Sequence, residues 1–179
     1  MSARLARGLG LSEREVRDVE RSGGLHDIGM VLLPDELLDR QGRFGGQERA
    51  VMRNHAAWAE QILTMTGEPA LRIAAQVALE HHERWDGSGY PSGLKGEQIC
   101  LPARIVAICA VYDALRHPRP GKAASDHCAA LAILCDGDAQ SGPAAFDPAV
   151  RDAFVRCQHD LRRISEVESF LRVKPRMET

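Results

Sequence analysis

The sequence predicts an all-α fold, a bundle of six or seven helices, on three observations. Aromatic residues make up only 4% of the 179 residues while Ala and Leu abound, a composition that favours helix over β-sandwich. No stretch alternates with the period of two expected of a half-buried strand, and no internal repeat is present. Helix start and stop signals recur along the whole chain.

Each element follows from that punctuation. Ala3 to Arg7 read as the inside of a helix, so the first helix is expected to be truncated at its N-terminal end. Ser12 and Glu15 have capping-box spacing and open a helix that runs toward Gly23 and Gly24. Pro34 suits the first turn of a short helix, Asp35 to Asp39, and Gln41 to Gly46 reads as a loop. A long helix is predicted from about Gln47 to Met65, stopped by Gly67. Pro69 opens the next, with Leu71, Ala74, Ala75 and Ala78 on its inner side, ending at His81 and His82. Trp85 to Gln98 is a loop dense in Gly and Pro. Further helices are expected from Pro102 to about Leu115, from Ser125 to Cys135, and from Ala149 to Leu171 behind an Asp147-Pro148 cap. Residues 1–165 form one domain on this reading, and 166–179 a helix end with a charged tail.

Composition narrows the function. A net charge of −2, with Arg and Glu interspersed, gives no basic footprint for a nucleic-acid polymer. The most apolar stretch, Ile99 to Val111, is too short to span a membrane and contains Pro102 and Arg104. No signal-peptide pattern opens the chain, so a cytoplasmic location is expected. Five cysteines without a CxxC pair read as buried free thiols in a reducing compartment.

The seven histidines carry the chemical information. His26 is followed by Asp27, His55 sits mid-helix, and His81 and His82 end a helix. An imidazole beside a carboxylate is a ready metal-ligand pair, and the two oxygens of Asp27 can bridge two ions. Neighbours on a helix diverge by about 100°, so His81 and His82 can share one ion only if it lies just beyond the helix end. Taken singly, His55 is more often a structural residue than a ligand, and an HD dipeptide carries little information. His81-His82 followed by Glu83 is somewhat more informative of a metal site. His117, His127 and His159 read as surface residues.

The order of the motifs is far more specific. Leu25-His26-Asp27-Ile28-Gly29, Met52-x-x-His55, and His81-His82-Glu83-Arg84-Trp85-Asp86-Gly87-Ser88-Gly89-Tyr90-Pro91 follow one another. Gly93 to Glu97, Ala103-Arg104-Ile105, Tyr112-Asp113-Ala114-Leu115 and Phe146-Asp147-Pro148 come after them. Together they resemble the HD-GYP family of the HD superfamily, from about Leu5 to Phe154. The resemblance implies a helical bundle with two or three divalent metals, often Fe or Mn, that hydrolyses cyclic di-GMP. Carried over by motif, His26 and Asp27 are metal ligands and the catalytic pair, with Asp27 bridging. His55, His81 and His82 complete the second metal's protein ligands. Tyr90, Asp113, Arg119 and Lys122 match positions that contact the substrate. A homodimer and signalling-protein partners also fit the resemblance.

Three departures stand out. Met30 replaces the Lys that usually follows HDIG, and a thioether cannot hold a phosphate as a cation does. Ala110 replaces an aspartate that ligates the first metal. The family's earliest ligands, a Glu and a His, would lie upstream of Met1. The expectation is therefore one well-formed metal position, a weaker second, and impaired hydrolysis. The alternative is a non-catalytic signalling module that binds cyclic di-GMP or a protein partner.

Overall fold

The computed structural model describes residues 1–38, 40, 42, 44–118, 123–138 and 142–172. Nine α-helices and no strand occur among the described residues. They are α1 (Ser2–Gly8), α2 (Glu13–Leu25), α3 (Asp35–Leu38), α4 (Gly46–Met65), α5 (Arg72–Glu80), α6 (Leu101–Arg116), α7 (His127–Asp136), α8 (Pro148–Arg156) and α9 (Gln158–Arg172). Short 3₁₀ turns at Ile28–Leu32, Pro69–Leu71, Gly96–Gln98 and Pro143–Ala145 connect them.

The expected capping box is present: the Ser12 hydroxyl accepts from the Glu15 N–H, and the Glu15 carboxylate accepts from the Ser12 N–H at 2.8 Å. The count exceeds six or seven partly because the last predicted helix is two. Its apolar stripe, Val150, Ala153, Phe154 and Leu161, runs through the break without interruption. No Gly or Pro marks the break, which lies at Cys157, a residue in a non-helical conformation (φ −92°, ψ 2°). The Cys157 sulfur faces Gly8 so closely that a Cβ there would lie 2.5 Å from it. Contact with α1, not local sequence, fits the position of the turn.

Helix α6 is the hub. Ile105, Ile108, Tyr112 and Leu115 join Leu5, Val16, Val19, Leu134, Val150, Phe154 and Leu161 in the main core. A smaller core, Ala59, Leu63, Ala74, Ala75 and Ala78, locks α4 against α5. The small side chains on α5 let the two helices approach closely, which positions the ends of α2 and α5 and the middle of α4 around one space.

Two expectations about exposure are corrected. His127 is buried, and its Nδ1 lies 2.8 Å from the Tyr112 hydroxyl, an internal polar pair that a helix-end histidine does not advertise. All five cysteines are free, yet Cys128 is exposed and only Cys109 and Cys157 are fully buried. Burial pushes the thiols of Cys100 and Cys109 up to about 12, so neither is a nucleophile at neutral pH. No helix among the described residues is long and apolar enough to cross a membrane.

Candidate metal centre and substrate cleft

The site begins with a glycine. Asp27 follows α2 and starts the 3₁₀ turn Ile28–Leu32, which lies directly on α4. A Cβ on Gly29 would stand 2.0 Å from the His55 carbonyl oxygen and 2.6 Å from the Ala59 nitrogen. Only glycine permits that approach, and the approach brings the Asp27 carboxylate beside the His55 ring. Asp27 Oδ1 lies 3.5 Å from His55 Nε2 and 3.4 Å from His81 Nε2. The other oxygen, Oδ2, lies 3.2 Å from His26 Nε2.

Helix ends solve the problem of adjacent histidines. His81 is the C-cap of α5 and His82 stands in the turn beyond, so their rings converge with centroids 4.0 Å apart. Ligand atoms of Asp27, His55, His81 and His82 all lie within 4.8 Å of one another. The α5–α4 contact then sets His82 Nε2 only 3.1 Å from His55 Nε2.

Three of the imidazoles share one support. Nδ1 of His26 lies 3.0 Å from the Gly23 carbonyl, Nδ1 of His55 lies 2.6 Å from that of Met52, and Nδ1 of His81 lies 2.8 Å from that of Ala78. A carbonyl can only accept, so each Nδ1 carries the hydrogen and each Nε2 presents a lone pair to the centre. His81 Nε2 is fully buried and has no hydrogen-bond partner among the described residues. An orphaned acceptor of that kind, aimed at a carboxylate and two other imidazoles, fits a divalent cation.

Electrostatics agree. The cleft walls act to raise the Asp27 carboxyl, but His26 and His81 outweigh them and hold it well below the usual carboxylate range. Burial, and then the charges of His81 and His55, push His82 down to about 2. His81 is also lowered, first by burial. His26 moves the other way: burial opposes its protonation, yet the Asp27 carboxylate raises it. Ionised Asp27 with neutral His81 and His82 is the protonation state a metal requires.

The Gly-rich loop closes one side. Glu83 is buried and holds the loop from within, accepting from Ser92 N–H at 2.6 Å and Leu94 N–H at 3.0 Å. Gly89 folds back so tightly that a Cβ would lie 2.3 Å from the Arg84 nitrogen. The Tyr90 N–H donates to the His82 carbonyl at 3.2 Å, and the Tyr90 ring stacks on the His82 ring, centroids 4.6 Å apart and planes 19° apart. Arg53, on α4, places its guanidinium carbon 4.6 Å from the Tyr90 ring centroid. Glu83 is thus a loop anchor rather than a ligand; its place between two histidines and a Gly-rich segment was the available signal. Sequence reasoning passed over Arg53 altogether.

Asp27, Tyr90 and the four imidazoles open onto a cleft of about 860 Å³ whose far wall is α6. Met30, Ala110 and Asp113 line it. His117 Nδ1 is 3.2 Å from the Asp113 carboxylate, and His117 Nε2 is 2.9 Å from the Ser169 hydroxyl on α9. Of the residues expected at the site, His26, Asp27, His55, His81, His82, Tyr90 and Asp113 share this cleft. Arg119 and Lys122 lie outside the described residues.

A family model described as HD domain matches residues 1–150. The chain is 44% identical over 160 residues to the cyclic di-GMP phosphodiesterase response regulator RpfG of Xanthomonas campestris pv. campestris, covering 89% of this chain and 41% of that protein. It is 40% identical over 122 residues to a cyclic di-GMP phosphodiesterase of Thermotoga maritima, covering 68% and 33%. It is also 40% identical over 119 residues to the 3'3'-cGAMP-specific phosphodiesterase 2 of Vibrio cholerae, covering 66% and 23%. The chain therefore spans less than half the length of each of these relatives. With the HD pair, the paired histidines and the GYP loop gathered at one cleft, the chain belongs to the HD domain family, in its HD-GYP branch.

Proposed function

We propose that this chain is a metal-dependent phosphodiesterase domain acting on cyclic di-GMP, with hydrolysis impaired by Met30 and Ala110. The observation that carries the proposal is the division of the Asp27 carboxylate. Oδ1 addresses His55 and His81, and Oδ2 addresses His26. A carboxylate so divided suits two cations, one on each oxygen. The names of the relatives, all phosphodiesterases of cyclic dinucleotides, support the substrate class.

In this reading Asp27, His55, His81 and His82 hold one divalent ion, and His26 with Asp27 offers a second, poorer set. Iron or manganese is the assignment, following the HD-GYP resemblance. A bound metal pair supplies acidified water near neutral pH and offsets charge on the phosphoryl oxygens. The chain's own residues do the rest. Carbonyls of Gly23, Met52 and Ala78 fix the imidazole tautomers, Tyr90 belongs to the proposal as a substrate contact at the edge of its ring, and Asp113 stands across the cleft. Arg119 and Lys122 belong to the proposal as phosphate contacts. A cytoplasmic location and homodimerisation are part of the same reading.

One observation favours a second reading, a cyclic di-GMP-binding signalling module without turnover. Met30 and Ala110 both line the cleft, so a thioether and a methyl group stand where a cation and a metal ligand would serve hydrolysis. Losing one transition-state contact costs about 10²–10³ in rate, and two are replaced here. Metal content and cyclic di-GMP hydrolysis, measured on one purified sample, separate the readings. Two ions per chain with steady turnover overturn the impairment. One ion or none, with tight binding and no turnover, establishes the signalling module. No binding and no turnover would sink both.

A further inference from the structure

We propose that Arg53 is a substrate-positioning residue, its guanidinium taking a phosphate of the cyclic dinucleotide at the Tyr90 side of the cleft. The inference rests on the cyclic di-GMP reading above and adds to it a residue that the motifs do not mark. It starts from charge. The described lining of the cleft includes the carboxylates of Asp27, Asp113 and Glu168 and neither Lys nor Arg. A cyclic dinucleotide carries two phosphodiester anions on opposite sides of its ring. Cations on Asp27 can meet one of them; the other needs a positive partner farther out. Met30 supplies none.

Arg53 is placed to do so. It lies two positions before His55 on α4, and its guanidinium sits over the Tyr90 ring, which itself stacks on His82. Tyr90 thereby fixes the cation relative to the metal ligands. A guanidinium held over a ring face keeps the N–H donors that point away from the ring free, and these match two phosphate oxygens. Arg53 is exposed, and among the described residues its contact is the Tyr90 ring, with no ion pair or hydrogen bond. Its donors are therefore available without breaking a contact among the described residues. Because the residue is on a helix surface, replacing it leaves the core and the ligand set untouched.

Equilibrium binding of fluorescent cyclic di-GMP to metal-loaded protein tests this at two salt concentrations, alongside metal content and melting temperature. Arg53→Met is expected to weaken binding about tenfold and to flatten its salt dependence, with metal content unchanged. Arg53→Lys, which keeps the charge, is expected to recover most of the loss. Equal affinity in wild type and Arg53→Met overturns the role of Arg53 while leaving the cyclic di-GMP reading standing. Equal losses in the Met and Lys variants, with unchanged salt dependence, also overturn it, since Arg53 would then only prop Tyr90. If wild-type protein fails to bind, the substrate reading and this inference fall together.

Discussion

His55 Nε2 and His82 Nε2 lie 3.1 Å apart, a separation at which both cannot carry hydrogens. Burial and the neighbouring imidazoles hold His82 down to about 2, and burial lowers His81 as well. In the unfolded chain each returns to the usual histidine value near 6.5. Below about pH 6.5 the unfolded state thus binds more protons than the folded one, and stability falls with pH. His26, which is raised, acts oppositely and recovers part of the loss as pH falls. Metal-free protein is expected to lose about 1–2 kcal/mol between pH 7.5 and pH 5. Thermal unfolding in chelator at the two pH values measures this. The variant His82→Ala should shrink the difference; an unchanged difference would show that His82 is not its source.

Among the described residues, the Asp27 carboxylate is the one anion that His26, His55 and His81 all face. Asp27→Asn keeps the shape and removes the charge. Metal affinity is expected to fall at least about tenfold, the lower end of what even outer-shell losses cost. Metal content after dialysis checks the outcome. The folded chain should survive, because the side chain opens to the cleft rather than into the core. Retention of full metal content in Asp27→Asn would remove the bridging role from the account.

Glu83 tests whether the loop and the metal ligands are separable. Its buried carboxylate accepts from two loop N–H groups. Glu83→Ala leaves both donors without that acceptor and is expected to cost about 1–3 kcal/mol. The GYP loop should loosen first, exposing Trp85, while the imidazoles keep their carbonyl supports. The expected result is a shifted tryptophan emission and weaker cyclic di-GMP binding at near-normal metal content. Loss of metal in parallel with loop order would mean that Glu83 supports the ligands themselves.

Much of this was legible from sequence where chemistry is local. Ser12 and Glu15 form their cap within one turn, and Gly67 stops α4 where expected. The gathering of the candidate ligands was legible for another reason: His26-Asp27 and His81-His82 stand at helix ends, where adjacent side chains can converge. What stayed hidden depends on contacts distant in sequence. The break at Cys157 faces Gly8, burial of His127 needs Tyr112, and the place of Arg53 needs Tyr90. Gly29 belongs to both classes. Its motif position was readable, but its role in seating the 3₁₀ turn on the His55 carbonyl was not.

That seating gives a further prediction. Gly29→Ala would drive a methyl group into backbone atoms of α4, which cannot move aside as a side chain can. Overpacking of this kind costs about 1–3 kcal/mol. The 3₁₀ turn must lift, taking Asp27 away from His55 and His81. Denaturant unfolding should show the lost stability, and metal affinity should fall although no ligand has changed. Wild-type metal affinity in Gly29→Ala would show that Asp27 is not positioned through this contact.

Met30 and Ala110 turn the proposed impairment into an experiment. Both line the cleft that Asp27 and Asp113 share, so restored side chains would reach the same space. Met30→Lys adds a cation for a phosphate, and Ala110→Asp adds an oxygen ligand on the α6 wall. Introduced alone, the aspartate brings another anion toward Asp113 and should lower stability unless metal is present. Together the two changes are expected to raise metal content per chain and to increase cyclic di-GMP turnover by about 10²–10³, the range that one transition-state contact is worth. Parallel metal analysis and hydrolysis rates on wild type, both single variants and the double variant decide the matter. If the double variant gains neither metal nor rate while folding normally, the defect does not lie at these two positions. If wild type already turns over steadily with two ions bound, there is no defect to repair.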